Sequence, residues 1–294
     1  MATDTSSQTE SGRSPIPPIV WRLLSNRRVA IGLVFLVPMF IMAVLGETIA
    51  PHDPTSTNVQ MRYDSPGGKF PLGTDHLGRD LLSRIIVGAR TTLLIGFGSI
   101  ALALAGGVPI GLAAGYTKGR TDELLMRLMD IIISIPTLLL GLLVLAVLSS
   151  NVINVTLAIG IVYAPRIARV TRSATLSASE ESYVMAAQAR GESNMHILFR
   201  EILPNVTSPI VVEGSVRVGY AIMIGTALSF LGLGTGPPTP DWGFMIAEAR
   251  DHIFQTPWFL VWPSLALLLT VMATNLIGDG LRDVLDPKET GDSR

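Results

Sequence analysis

The 294 residues contain no cysteine, which excludes a disulfide framework, a thiolate nucleophile, a zinc–thiolate centre and an iron–sulfur cluster. Charge is scarce as well. Asp, Glu, Lys and Arg together make up 15% of the chain, against about 25% in soluble domains, and a net charge of −1 gives no electrostatic footprint for nucleic acid. No GxxxxGK[ST] phosphate loop occurs, since Gly67-Gly68-Lys69 is followed by Phe70 and lacks the upstream glycine. GxSxG and HExxH are absent too. The chain is therefore read as neither an ATPase nor an enzyme, and no cofactor is expected. What it has instead is apolar residues: 48% of the sequence, with a mean hydropathy of +0.47. Together with the low charge these exclude a disordered chain and predict an all-α integral membrane protein, because lipid offers no partners for open backbone groups.

Six stretches approach the ~20 apolar residues that a helix needs to cross a bilayer: Val29 to Leu45, Thr92 to Tyr116, Ile131 to Leu148, Val152 to Ala168, Ile210 to Leu231 and Trp258 to Ile277. The fourth is the weakest, diluted by Asn154, Thr156, Tyr163 and Pro165. Placing both termini in the cytoplasm puts fifteen of the 22 Lys and Arg residues on inner segments and six on outer ones, with Arg217 inside the fifth stretch. The resulting plan is a cytoplasmic tail 1–28, a first transmembrane helix 29–49, an external loop 50–91, a five-helix core 92–277 that includes a cytoplasmic element 177–204, and a cytoplasmic tail 278–294. Arg27 and Arg28 precede the first stretch as in a secretory signal, but no small-x-small cleavage site follows it, so it reads as a retained anchor. Residues 1–18 read as a mobile tail.

Three segments between the stretches are long enough to matter. In loop 50–91 an amphipathic run, Leu77 to Ala89, gathers Leu81, Leu82, Ile85 and Ile86 on one face with Arg79, Asp80 and Arg84 elsewhere. It is expected to be an interfacial helix on the rim of the bundle, with docking of an external partner as the alternative for the loop as a whole. Segment 232–257, dense in Gly and Pro, is expected to form a rigid cap that shapes an outer mouth or merely connects two spans. In segment 177–204, Ser177-Ala178-Ser179-Glu180 has the pattern of a capping box and predicts the start of a helix from Glu181 to Arg190. Gly191 should end that helix with a positive φ, and a second one, from Ser193 to Leu203, should stop at Pro204. A compact helix–glycine–helix beside a membrane suits a groove on another protein. The plainer alternative is a connector between spans.

Ion coupling would call for acids or histidines at membrane depth, and the apolar stretches hold almost none. Glu213 and Arg217, an i,i+4 pair, read as a mutually neutralising pair near the inner interface, with gating as the alternative. His52, His76 and His252 each neighbour an aspartate in an external segment. Adjacent side chains cannot easily point at one ion, so no metal site is expected.

The spacing Ala186-Ala187, Gly191, Leu203-Pro204 resembles the EAA signature of permease subunits of binding-protein-dependent ABC importers. Further runs are similar to the dipeptide/oligopeptide/nickel permease family, and to its second, C-type subunit: Leu72-Gly73-Thr74-Asp75, Gly78 to Arg84, Ala227 to Gly234, Pro237 to Pro240 with Trp242-Gly243, and Asn275-Leu276 with Gly278 to Asp283 and Leu285-Asp286-Pro287. The resemblance spans about residues 20 to 288. Met185 stands where the signature has an acid, Glu201 where it has isoleucine, and Gly225-Thr226 where an acid precedes the Ala-Leu-Ser-Phe-Leu-Gly run. The resemblance implies a type I importer permease fold with six transmembrane helices in the cell inner membrane. It also implies a homologous second permease, two ATP-binding cassette subunits that bind the ATP, and an extracytoplasmic solute-binding protein. Ala186, Ala187 and Gly191 would then form the patch and turn that couple to the ATPases, while Leu203 and Pro204 would fix the exit into the fifth span. Peptides are the implied cargo, with nickel, opines, glutathione or oligosaccharides as alternatives. An ion-coupled carrier and a membrane-embedded enzyme are the rival classes.

Overall fold

The computed structural model describes residues 18–285. Of the N-terminal tail expected over 1–28, residues 1–17 lie outside the described residues and Pro18–Ser25 is helical; the end of the C-terminal tail, with Asp286-Pro287, also lies outside them. Ten helices account for most of the described chain: α1 (Pro18–Ser25), α2 (Arg27–Ile49), α3 (Leu81–Thr117), α4 (Gly119–Ser134), α5 (Thr137–Val147), α6 (Val152–Ala178), α7 (Ser182–Ala189), α8 (Asn194–Leu233), α9 (Trp242–Arg250) and α10 (Trp258–Leu285). Five of them are long and apolar enough to cross a bilayer, and α4 with α5 makes a sixth crossing if the bent pair counts as one. Side-chain caps begin four of the long or capping helices: Asn26 at α2, Asp80 at α3, Asn151 at α6 and Asp241 at α9 each accept from backbone N–H groups of the first turn.

α3 and α6 form the central pair. α8 packs against both, α10 against α2 and α8, and α5 against α6 and α8. The central pair is held by close backbone approach, because apolar burial gives little drive between helices already in lipid. Gly107, Gly111 and Gly115, four residues apart, form one stripe on α3. A Cβ at Gly107 would lie 2.5 Å from the Ala164 carbonyl oxygen, one at Gly111 2.5 Å from that of Ala168, and one at Gly115 2.8 Å from that of Arg172. The helix read as weakest from its polar residues thus sits at the centre of the bundle. Gly111→Leu is expected to force the pair apart at a cost of about 1–3 kcal/mol, lowering the melting temperature of the purified protein. Gly106→Leu makes the control, since a Cβ there meets nothing closer than 4.0 Å.

Several expected boundaries shift. The amphipathic run 77–89 is no separate interfacial helix: from Leu81 onward it is the first part of α3, and Arg79, Asp80 and Arg84 are buried along with Leu81, Ile85 and Ile86. The stretch Ile131 to Leu148 is not one helix, since α4 and α5 meet at a 93° bend around Ile135-Pro136. The ring of Pro136 disfavours helical geometry in the residue before it, and Ile135 is accordingly extended. α6 does not end near Ala168 but runs on to Ala178, so the 177–180 pattern starts no helix. Ser179 closes α6, and Glu181 opens α7 without a side-chain cap bond. Pro204 stops nothing either. The wider π-helical turn over Ile197–Ile202, in which the Leu203 N–H reaches back to the Leu198 carbonyl, absorbs the missing donor of proline, and α8 continues to Leu233. α10 likewise extends past Ile277 to Leu285.

Candidate functional site

The 177–204 element folds as two helices around one turn. α7 ends in a Schellman motif: Gly191 has φ +75°, its N–H donates to the Gln188 carbonyl at 2.9 Å, and the Glu192 N–H donates to the Ala187 carbonyl at 3.2 Å. Ser193 then caps α8, its hydroxyl accepting from the His196 N–H. One side of the element is sealed by an apolar cluster in which Leu112 of α3 and Ala178 of α6 meet Val184 and Ala187 of α7 and Ile197, Leu198, Ile202 and Val206 of α8. Tyr116, near the end of α3, fastens both helices, accepting from the Gln188 amide and bonding Asn194, each at 3.3 Å. Ala187 is therefore an interior residue and does not belong to an outward patch with Ala186. Ala186, Gly191 and Pro204 are exposed and Leu203 is half-buried. The apolar side chains on the outer surface are ones the motif did not single out: Met185, Met195 and Phe199. Beside the turn, Glu192, His196 and Glu201 come close enough to share an ion, but Arg190 already pairs with both glutamates.

At the opposite end of the bundle, loop 50–80, the start of α3 and α9 are joined by buried charge. Asp75, fully buried, accepts from the Leu77 and Arg79 N–H groups and from Arg79 Nε at 2.5 Å. Glu248 of α9 receives the Arg79 guanidinium at 3.0 and 3.1 Å and that of Arg84 at 3.3 Å. Two carboxylates thus neutralise two guanidiniums, and neither arginine reaches solvent. Trp242, fully buried, donates from Nε1 to the Ile85 carbonyl at 2.9 Å and seats α9 on α3. Sequence periodicity hides this cluster because charges in an amphipathic run ordinarily mark the wet face. The useful signal would have been two arginines and an aspartate within one turn of a well-capped helix start.

The histidines pair across the fold and not with their sequence neighbours. His52 meets Asp80 at 3.2 Å, while His76 and His252 stack at 4.7 Å, with Tyr63 bonded to His252 at 3.2 Å. Burial holds the His76 imidazole below its ordinary value of 6.5, outweighing the opposite pull of Glu248 and Asp75, while Arg79 and His252 add to the lowering. The unfolded segment therefore binds a proton more readily than the folded one. The stability contributed is complete above the ordinary value and is lost as pH falls below it. Protection of residues 50–80 from hydrogen exchange, taken relative to the intrinsic rate at each pH, is expected to fall between about pH 7.5 and about pH 5.5, more than in His76→Asn. Equal pH responses in the two proteins would remove His76 as the cause.

In the middle of the bundle, Glu213 and Arg217 do pair, at 2.6 Å. Gly225, where the permease pattern has an acid nearby, is buried: a Cβ there would lie 2.5 Å from Ile95 of α3, so the helices approach too closely for a larger side chain.

Comparison with known proteins agrees with this architecture. A family model described as binding-protein-dependent transport system inner membrane component matches residues 107–291, and one described as the N-terminal TM domain of oligopeptide transport permease C matches residues 14–66. The chain is 42% identical to the di/tripeptide transport system permease protein DppC of Pseudomonas aeruginosa, covering 91% of each. It is 38% identical to the dipeptide transport system permease protein DppC of Haemophilus influenzae (95% of this chain, 97% of that one). It is also 39% identical to the glutathione transport system permease protein GsiD of Pectobacterium atrosepticum (91% and 90%). Among solved structures, an inward-facing MetNI methionine ABC transporter shares the fold at a TM-score of 0.57 and 18% identity, over 69% of this chain and 96% of that one.

Proposed function

The chain belongs to the family of binding-protein-dependent transport system inner membrane components, and from that premise we propose how its parts divide the work of importing di- or oligopeptides. It is the permease subunit, forming the translocation pathway and leaving ATP to partner subunits. The homologous second permease closes the passage from the other side. Two ATP-binding cassette subunits dock on the 177–204 elements, one on each permease. The observation that carries this is the outer surface of α7 and the start of α8. Met185, Met195 and Phe199 stand exposed on a helix pair whose inner side is fully packed, a surface shaped for an apolar groove. Ala186 lies beside Met185 in that surface, Gly191 sets the angle between the helices, and Leu203 and Pro204 sit where α8 leaves the element.

The element is wired to the rest of the subunit by α8 itself, 40 residues and about 60 Å long. Closure of the ATPases would press the two elements together, and α8 would carry the displacement to the other end of the bundle. With both termini cytoplasmic, as the Lys and Arg distribution favours, that other end faces outward. There loop 50–80 and α9, stiffened by the Asp75–Arg79–Arg84–Glu248 cluster, offer a surface to an extracytoplasmic solute-binding protein. The glutathione permease relative is compatible with the same cargo chemistry, glutathione being itself a peptide.

Reconstitution tests the scheme. The chain purified alone should move no solute. With its second permease, ATPases and binding protein in proteoliposomes, it should import a dipeptide only when ATP is hydrolysed. Concentrative transport by the isolated chain would refute the scheme.

A further inference from the structure

The chain enters its first span through a short helix that the rest of the fold leaves largely uncovered. In α1 the side chains of Trp21 and Leu24 are 61% and 49% exposed. They lie about 60° apart around the helix, while Arg22 lies about 160° from Leu24. α1 therefore has an apolar edge and a basic edge, and Arg22 is exposed as well. The backbone leaves helical geometry at Asn26, with φ −74° and ψ 120°, and the Asn26 side chain caps α2 by accepting from the Arg28 and Val29 N–H groups. α1 thus does not continue the span. It turns aside where the span begins.

Depth follows from length. α2 has 23 residues, about 34 Å of helix, against a hydrocarbon core of about 30 Å. Arg27 therefore stands at the edge of the core, and α1 lies just beyond it. The last turns of α10 hold the junction there. Arg28 pairs with Asp283 at 2.9 Å, and a Cβ at Gly280 would lie 2.4 Å from the Val29 side chain and 3.3 Å from Asn26 Oδ1. Arg22, Arg27 and Arg282 are exposed, with no carboxylate within ion-pair distance among the described residues. Asp279 is the other acid on these turns, so four arginines stand beside two aspartates. The exposed apolar surface continues on α2 at Ile31, Val34 and Ile41. A helix with an apolar edge, a basic edge and a place at the hydrocarbon boundary fits one kind of partner, a bilayer surface with negative headgroups.

We propose that α1 is an anionic-lipid-binding helix. Trp21 and Leu24 enter the boundary between headgroups and acyl chains, where an indole ring is favoured. Arg22 and Arg27 take the phosphate oxygens of acidic phospholipids, which the guanidinium fork matches in shape and charge. Arg28 is already paired with Asp283 and keeps the junction on α10. The lipid thereby fixes the direction in which the chain enters α2. The assignment does not depend on which solute the subunit passes.

The full-length chain in nanodiscs supplies the test. It has no cysteine of its own, so a single fluorophore can be placed at Leu24→Cys, at Val34→Cys in the apolar α2, or at Thr57→Cys in loop 50–80, all exposed positions. Quenching by brominated phosphatidylglycerol is compared with quenching by brominated phosphatidylcholine at equal, low mole fraction. Position 34 should be quenched alike by both lipids and position 57 by neither. Position 24 should be quenched by both, with a preference for phosphatidylglycerol of about fivefold or more. That preference should shrink at high salt and vanish when Arg22→Gln and Arg27→Gln are combined, while position 34 stays as before. Equal quenching by the two lipids at 24 would overturn the recognition of charge, and quenching as weak as at 57 would place α1 away from the bilayer surface. The measurement is repeated with the complex assembled from cysteine-free partner subunits. A retained preference supports the assignment, whereas its loss would show that protein covers α1 and would overturn it.

Discussion

Gly191→Val is expected to abolish most ATP-driven uptake while the complex still inserts, assembles and hydrolyses ATP. The residue has φ +75°, a conformation that costs an ordinary L-residue about 1–2 kcal/mol and a β-branched one more. That is a factor of roughly 5–30 in the population of the native turn. A Cβ at this position meets nothing within 4 Å, so the effect is one of backbone preference and not of collision. The distinction is testable because asparagine tolerates the left-handed region. Gly191→Asn should retain much of the uptake that Gly191→Val loses. A small loss in both, or an equal loss in both, would mean that the angle between α7 and α8 is not what transmits the force.

The second large effect lies at the other end of the bundle. Asp75→Asn leaves two buried guanidiniums to share Glu248, and removing one partner of a buried ion pair costs about 3–5 kcal/mol. Loop 50–80 should lose protection from proteolysis and hydrogen exchange, and the complex should melt earlier. The comparison variant is Glu47→Gln, whose partner Arg90 is mostly in solvent at 3.3 Å. An exposed pair of that kind contributes about 0–1 kcal/mol, and its loss should pass unnoticed. Similar behaviour of the two variants would show that burial does not set the worth of the Asp75 cluster.

Much of this architecture is legible in the chain itself. Hydropathy alone locates the long helices, because only a helix satisfies its backbone in lipid, and Gly191 announces its turn because few other residues would sit there. The failures are equally physical. Ala187 reads as part of an outward patch since alanine carries no signal of which side it faces; only the neighbours that the fold supplies, Leu112 and Ile202 among them, bury it. Pro204 reads as a stop because local rules cannot see the widened turn that precedes it. Arg79 and Arg84 read as wet because their counter-charge, Glu248, is more than 160 residues away in sequence. The glycine stripe on α3 was available from its spacing of four and carries no motif beyond that spacing.

The bend between α4 and α5 has a consequence for how this part of the chain can sit in a bilayer. α5 has eleven residues, about 16 Å of helix, and cannot by itself cross the hydrocarbon. Where it starts, the Ile135-Pro136 backbone interrupts the helical ladder. The packing of α5 against α6 and α8 is therefore what keeps this interrupted backbone out of lipid.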